Sequence, residues 1–79
     1  MRLAEARARR FMTLRALARE SGISESTLYH LERGDWLPSL KNAKRLAEVL
    51  QMDPMEIDEI RAAVEKAAQG KENPARIGA

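Results

Sequence analysis

Residues 14–34, LRALARESGISESTLYHLERG, hold two short segments with helical spacing of apolar residues, separated by one turn at Gly22. A hydroxyl residue precedes each segment, Thr13 before the first and Ser24 before the second, and such residues commonly cap helix N-termini. The turn is too short for the second helix to fold back antiparallel, so the two helices are expected to cross steeply. The predicted helices are residues 14–21 and 25–33.

A helix-turn-helix unit has specific steric requirements, and this stretch meets all of them. A small residue is needed where the helices touch, and a permissive residue is needed in the turn; Ala18 and Gly22 occupy these places. Apolar residues must line the facing sides, and these are Leu17, Ile23, Leu28 and Leu31. The complete set at this spacing predicts a helix-turn-helix.

The rest of the chain also carries helix start signals. Ser39 and the Asp53-Pro54 pair mark two further starts, while the signals of β-structure are scarce. The sequence therefore predicts an all-α, five-helix domain over residues 1–69 and a flexible tail over residues 70–79. The expected helices are about residues 2–10, 14–21, 25–33, 40–51 and 54–69.

Length and composition narrow the function classes. The chain has 79 residues and no cysteine, so it is expected to fold as one domain without disulfides or a cysteine-ligated metal. No apolar run approaches the roughly 20 residues of a membrane span, and charges interrupt residues 1–11, unlike an export signal. We therefore expect a soluble intracellular protein with no membrane association.

Charge is distributed unevenly along the chain. Residues 1–50 hold 10 Lys and Arg against 6 Asp and Glu, a net charge of +4, whereas residues 51–79 hold 4 against 6, a net charge of −2. A basic first part can attract a polyanion, from which the acidic last part is repelled. The alternative, an uneven distribution by chance, stays open on charge alone.

The runs SESTLYHLERG (24–34), PSL (38–40) and RLAEVL (45–50) lie within a span, residues 12–57, that resembles the phage-repressor-like (Xre/Cro-like) helix-turn-helix family. The resemblance implies a compact, lambda-repressor-like five-helix domain whose third helix lies in the DNA major groove. It also implies a sequence-specific regulator of transcription that binds double-stranded DNA, most simply a small dimeric repressor. Such a regulator is expected to be cytoplasmic, nucleoid-associated and of prokaryotic or phage origin. The alternative is a helix-turn-helix module that binds protein, such as an antitoxin or a coactivator-like adaptor.

The outward face of helix 25–33 holds the candidates for reading bases, because the start of a recognition helix points at base edges. These candidates are Glu25, Ser26, Thr27, Tyr29 and His30. Glu25 can accept a hydrogen bond from the cytosine amine and repel other bases, or it can simply stabilise the helix start through the macrodipole. For Tyr29 and His30 the alternative is an ordinary exposed polar face.

Affinity for DNA is expected to come mainly from phosphate contacts. The candidates are Arg10, Thr13, Arg15, Arg33, Lys41, Asn42 and Lys44. The helix starts at Thr13 and Ser39 also offer free backbone amides to a phosphate oxygen. The resemblance would place a phosphate-gripping glutamine directly after Thr13, and this chain has Leu14 there, so that contact is lost or replaced.

Arg7 and Glu32 stand at positions where the resemblance implies an internal salt bridge. On this interpretation the two side chains bind each other and do not touch DNA. The alternative is two unrelated surface charges.

Two regions are candidates for protein contacts. Trp36 either caps the core or packs on the fourth helix, or it lies exposed beside Leu37 and anchors a protein partner, since aromatic residues are frequent anchors in interfaces. The apolar stripe of the last helix, with Ile57, Ile60 and Val64, either forms a homodimer interface or packs entirely inside its own monomer.

The sequence does not favour an enzyme or a cofactor-binding protein. His30 is the only histidine and is placed on an exposed helix, so no nucleophile has a paired base. There is no glycine-rich phosphate loop, and one histidine without cysteine does not make a metal site. We therefore expect a non-enzymatic protein with no metal and no cofactor.

Overall fold

A computed structural model describes residues 1–69 of the chain. Over that range it contains five α-helices, one 3-10 turn and no strand, which confirms the predicted all-α, five-helix class. The elements are α1 Leu3–Arg9, α2 Leu14–Ser21, α3 Glu25–Arg33, α4 Leu40–Leu50, the 3-10 turn Pro54–Glu56 and α5 Asp58–Ala68. The predicted tail, residues 70–79, lies outside the described residues.

Local capping chemistry sets the boundaries of the central helices. The side chains of Thr13, Ser24 and Ser39 each accept a hydrogen bond from the backbone N–H three residues on. Helices α2 and α3 end at Gly22 and Gly34, whose φ angles of 75° and 84° are left-handed. The bounds of α2 and α3 therefore agree with those expected from the sequence.

The fifth helix differs from the single helix predicted over residues 54–69. Pro54–Glu56 form a separate 3-10 turn, which Asp53 caps by accepting a hydrogen bond from the Met55 N–H at 2.9 Å. Ile57 is extended (φ −103°, ψ 118°) and fully buried, and α5 begins only at Asp58. The break places the Ile57 side chain in the core, and a periodicity argument does not reveal it because the apolar spacing continues across it.

One apolar core joins all five helices. Its largest fully buried members are Leu3, Leu17, Leu28, Leu31, Leu46, Leu50, Ile57 and Ile60. Helix α4 packs against both α2 and α5, while α3 packs against α1 and α2. Burial of Leu28 and Leu31 turns one side of α3 inward and leaves its opposite side exposed.

A buried carboxylate fastens α1 to α5. Glu59, only 5% exposed, accepts a hydrogen bond from the Leu3 backbone N–H at 2.8 Å, which satisfies one free amide at the start of α1. Its other oxygen, Oε2, has no hydrogen-bond partner and lies 3.4 Å from a guanidinium nitrogen of Arg2. The negative charge also suits the N-terminal end of α1, where the helix dipole is positive.

Arg7 and Glu32 form an ion pair between α1 and α3. The Nε and Nη2 groups of Arg7 donate to the two carboxylate oxygens of Glu32 at 2.7 and 3.1 Å, a bidentate arrangement. The third group, Nη1, donates to the Met12 carbonyl at 2.9 Å. The side chains are only 22% and 12% exposed, and the hydrogen bond to Glu32 raises the pKa of Arg7. This pair ties the last turn of α3 to α1 and to the loop before α2.

We expect Glu32→Ala to lower the free energy of unfolding by about 2–3 kcal/mol, because it leaves the largely buried charge of Arg7 without its partner. The matched control is Glu5→Ala. It breaks an exposed pair between Glu5 and Arg9 (3.1 Å, 49% and 61% exposed) and should cost no more than about 0.5 kcal/mol. Urea denaturation measures both. Equal losses in the two variants would contradict the role given to Arg7 and Glu32.

Phe11 occupies a backbone position that normally belongs to glycine. Its φ is 56°, and the bonds from the Phe11 N–H to the Ala8 carbonyl (2.9 Å) and from the Met12 N–H to the Arg7 carbonyl (3.2 Å) form a Schellman motif that closes α1. A left-handed conformation is strained for a residue with a Cβ. Burial of the Phe11 side chain does not offset this strain, since the side chain is 96% exposed.

Phe11→Gly should therefore raise the free energy of unfolding by about 1 kcal/mol relative to Phe11→Ala, which keeps the left-handed strain. The comparison with alanine separates the backbone effect from the loss of the aromatic ring. Thermal and urea unfolding of the two variants provide the measurement. A glycine variant no more stable than the alanine variant would show that the φ of Phe11 is not strained.

Candidate nucleic-acid interface

The exposed side of α3 follows from its buried side. Successive residues of an α-helix are turned by about 100°, so the positions opposite Leu28 and Leu31 face outward. These outward positions are Ser26, Tyr29, His30 and Arg33. Tyr29 is 49% exposed and His30 is 34% exposed. Three of the five residues predicted to read bases thus share one accessible face.

The remaining two predicted base contacts, Glu25 and Thr27, lie at the edge of that face and already have partners. Glu25 Oε2 lies 3.4 Å from Arg15 Nε, in an exposed pair that links the starts of α3 and α2. The Thr27 N–H donates to Ser24 Oγ at 3.1 Å, and its hydroxyl accepts from the same oxygen at 2.9 Å. Thr27 therefore belongs to the helix cap. The ion pair of Glu25 with Arg15 is exposed to solvent, and such pairs contribute little free energy.

A cluster of polar and aromatic side chains covers the end of α3. His30 Nδ1 lies 2.9 Å from Asp35 Oδ2, and Arg33 Nε lies 3.3 Å from the same oxygen. Arg33 Nη1 also donates to the Tyr29 hydroxyl at 3.1 Å. The His30 ring packs against Trp36, at 4.2 Å between ring centroids, and against Tyr29, at 5.5 Å edge-on. We name Tyr29, His30, Arg33, Asp35 and Trp36 the Asp35 cluster.

The electrostatics of the Asp35 cluster favour the charged forms of its acid and its arginine. The hydrogen bond from His30, helped by the charge of Arg33, holds the pKa of Asp35 below its ordinary value. The hydrogen bond to Tyr29 and the charge of Asp35 raise the pKa of Arg33. At neutral pH, Asp35 is therefore an ionised carboxylate, which can only accept hydrogen bonds.

The residues predicted to contact phosphates are all at least partly exposed. Of the predicted phosphate contacts, Arg10, Thr13, Arg15, Arg33, Lys41 and Lys44 are exposed, and Asn42 is partly exposed. Thr13 Oγ1 accepts from the Ala16 N–H at 3.0 Å, which leaves its hydroxyl hydrogen available to a phosphate. Arg15 and Arg33 already face acids, at Glu25 and Asp35.

Two basic residues of α4 occupy places that spacing alone does not indicate. Arg45 is not among the residues predicted from the sequence to contact DNA, yet one of its guanidinium nitrogens lies 3.8 Å from where a Cβ on Gly22 would stand, beside the turn between α2 and α3. Lys44 lies on a different side of α4, where it lines a groove against α5. Which of these two neighbouring residues faces the turn at Gly22 depends on how α4 packs on α2.

Trp36 and Leu37 are both exposed, at 50% and 46%. The alternative in which Trp36 caps the core is wrong, because its ring packs on His30 instead. Leu40, the first residue of α4, is also 49% exposed. Trp36, Leu37 and Leu40 therefore each leave apolar side-chain surface accessible.

An apolar groove separates α4 from α5 and affects the predicted dimer interface. Its volume is about 340 Å³, and its lining residues are Leu40, Ala43, Lys44, Ala47, Glu48, Met52, Pro54, Ile60 and Val64. Ile57 and Ile60, which the sequence analysis places at an interface, are both fully buried in the core of their own chain, and of the two only Ile60 reaches the groove lining. Val64 is partly exposed and lines the groove, so an interface in this region would consist of groove residues.

The geometry agrees with a comparison to known protein families. A family model described as a helix-turn-helix domain matches residues 1–60. The chain belongs to this helix-turn-helix family. Comparison with curated proteins and with solved structures gives no match. Membership indicates a DNA-binding regulator in general terms, since such domains place their second helix in the major groove.

The match ends within α5 and covers α1 to α4 entirely, so the whole Asp35 cluster and every basic residue discussed above lie inside it. No helix among residues 1–69 has both the length and the apolar character to cross a bilayer.

The Asp35 contact predicts a measurable titration. His30→Ala should return the pKa of Asp35 towards 3.8, because it removes the main cause of the lowering. Because the pKa of Asp35 is lower in the folded state than its ordinary value, the contact with His30 stabilises the fold at pH values above the ordinary pKa. This stabilisation is lost as the pH falls through the lowered pKa. Carboxyl ¹³C shifts followed by NMR provide the measurement. In the control Tyr29→Phe, both partners of Asp35 remain and its pKa should stay low; a pKa unchanged by His30→Ala would refute the contact.

Proposed function

We propose that the protein is a sequence-specific regulator of transcription of the phage-repressor-like (Xre/Cro-like) type, most simply a small cytoplasmic repressor that reads the major groove of double-stranded DNA with α3. The observation that carries the proposal is the outward face of α3 in a helix-turn-helix family member. That face presents a hydroxyl, a phenol, an imidazole and a guanidinium, which are groups that hydrogen-bond to base edges and phosphates.

Base reading is assigned to Ser26, Tyr29 and His30, which lie on the outward face of the first two turns of α3. Glu25 lies beside them at the helix start, and its exposed pair with Arg15 is weak enough to open when DNA binds. Arg15 would then be free for a phosphate, and Glu25 for a cytosine amine. Thr27 contributes to readout only if the cap with Ser24 rearranges.

Backbone contacts are assigned to the basic groups at the starts of α2 and α4, where free helix amides add to the attraction for phosphate. Around the start of α2 these are Arg10, which ends α1, and Arg15, together with the hydroxyl of the capping residue Thr13; on α4 the basic group is Lys41, together with the polar side chain of Asn42. Arg45 joins this set because it lies beside the turn at Gly22. The net charge of +4 on residues 1–50 supports the assignment.

A second copy of the chain is the proposed occupant of the groove between α4 and α5. The groove is apolar at its base, and its rim carries Lys44 and Glu48 one helical turn apart. A twofold axis across the groove would bring Lys44 of each copy against Glu48 of the other. To read half-sites one turn of DNA apart, the two α3 helices of such a dimer have to lie about 34 Å from each other.

A second candidate function is a protein-binding module, and the exposure of Trp36 and Leu37 favours it. Their side chains lie beside α3 and could anchor a partner with or without DNA. The two functions differ in salt dependence: phosphate contacts make log Kd rise steeply with log salt, whereas an apolar anchor does not.

The testing experiment is selection of bound duplexes from a random pool with the purified chain. The proposal predicts one enriched sequence and binding that weakens steeply with salt. In Ser26→Ala and Tyr29→Ala, affinity for the enriched sequence should fall about 5- to 30-fold while binding to unrelated duplexes is retained. Equal loss on all sequences would contradict base reading by these residues, and no retention of any duplex in dilute buffer would contradict DNA binding itself.

The dimer is tested by Leu40→Glu, which puts a charge into the groove and should weaken self-association at least about 10-fold in sedimentation equilibrium. The matched control is Leu37→Glu, a change of the same kind at a leucine of similar exposure (46% against 49%) outside the groove. Equal effects of the two changes, or a wild-type chain that stays monomeric with its DNA site present, would contradict the proposed interface.

A further inference from the structure

The contact between His30 and Asp35 determines which ring nitrogen carries hydrogen. Asp35 is ionised at neutral pH and has no hydrogen to donate, so at 2.9 Å the His30 Nδ1 must be the donor. A neutral imidazole has only one N–H. With that hydrogen on Nδ1, Nε2 is left with a bare lone pair and can only accept.

The same cluster restricts how the His30 ring can turn. Trp36 packs on one face of the ring at 4.2 Å between centroids, and Tyr29 lies edge-on at 5.5 Å. Arg33 binds the same Asp35 oxygen and the Tyr29 hydroxyl, which steadies both partners of the histidine. The ring nevertheless keeps 34% of its side-chain surface exposed on the outward face of α3.

We propose that Asp35 is a positioning residue for specificity: it holds neutral His30 in the Nδ1–H form, so that Nε2 selects an adenine or a cytosine at one position of the DNA site. The inference rests on the proposed function. In the major groove adenine offers its N6 amine and cytosine its N4 amine, which donate to a bare nitrogen, whereas guanine O6 and N7 and thymine O4 are acceptors. An acceptor on the protein therefore favours amino bases and is repelled by the other two.

The form of the ring is testable without DNA. At pH 8.5, above the range in which histidines normally titrate, ¹⁵N shifts of the imidazole distinguish a nitrogen with hydrogen from a bare one. The wild-type chain should show hydrogen on Nδ1. Asp35→Asn should shift the ring towards a mixture of both forms, because an amide can either donate or accept. A wild-type ring with hydrogen mainly on Nε2 would overturn the inference.

The consequence for DNA is measured at the same pH with the duplex enriched by selection and its single base-pair variants. His30→Ala identifies the position that His30 reads, as the one where discrimination disappears. At that position the wild-type chain should prefer the amino base about 5- to 10-fold, and Asp35→Asn should reduce this ratio to within about 2-fold. In the His30→Ala background, Asp35→Asn should change the ratio no further.

The control for charge is Glu65→Gln, which removes one negative charge from the exposed surface of α5. Losing a negative charge strengthens binding to every duplex alike, so in this variant the ratio should not change. The role of Asp35 would be overturned if the preference for the amino base stayed the same in Asp35→Asn, or if it changed equally in Glu65→Gln. The proposed function would still stand after either result. Failure to enrich any duplex would overturn both.

Discussion

Burial of Leu28 and Leu31 fixes the rotation of α3 about its own axis, and the rest of the structure depends on that constraint. Once those two leucines face the core, Ser26, Tyr29, His30 and Arg33 have to face outward. Ile23, 5% exposed in the turn before α3, and Leu17 on α2 provide the surface against which the helix packs. The left-handed conformation at Gly22 then sets the direction in which α3 leaves the turn.

The two ends of α3 are held by different means. At the start, Ser24 caps the helix, and the exposed pair of Glu25 with Arg15 adds little stability. At the end, the largely buried, bidentate pair of Glu32 with Arg7 ties the last turn to α1. The Asp35 cluster lies just outside that anchor. The anchored end is therefore the place where a histidine ring can be kept in one orientation, as reading a single hydrogen-bonding atom requires.

Local signals account for most of what the sequence predicts. Thr13, Ser24 and Ser39 cap the helices where expected, because a cap involves only residues three positions apart. The pairing of Arg7 with Glu32 came from family resemblance, since 25 residues separate them and no local rule connects them. The break at Ile57 and the burial of Glu59 were not predictable, and the sequence left open whether Trp36 is exposed, because each depends on how distant elements pack. Asp35 was missed because its role depends on a turn that brings it back onto His30.

The central claim is that the outward face of α3 enters the major groove. Chemical-shift mapping of the ¹⁵N-labelled chain, titrated with its selected duplex, tests it most directly. The account predicts that the largest backbone and side-chain shifts fall on Ser26, Tyr29, His30 and Arg33, with smaller ones at the starts of α2 and α4. Shifts concentrated instead around Leu37, Leu40 and the groove of α4 and α5, with α3 unaffected, would contradict it.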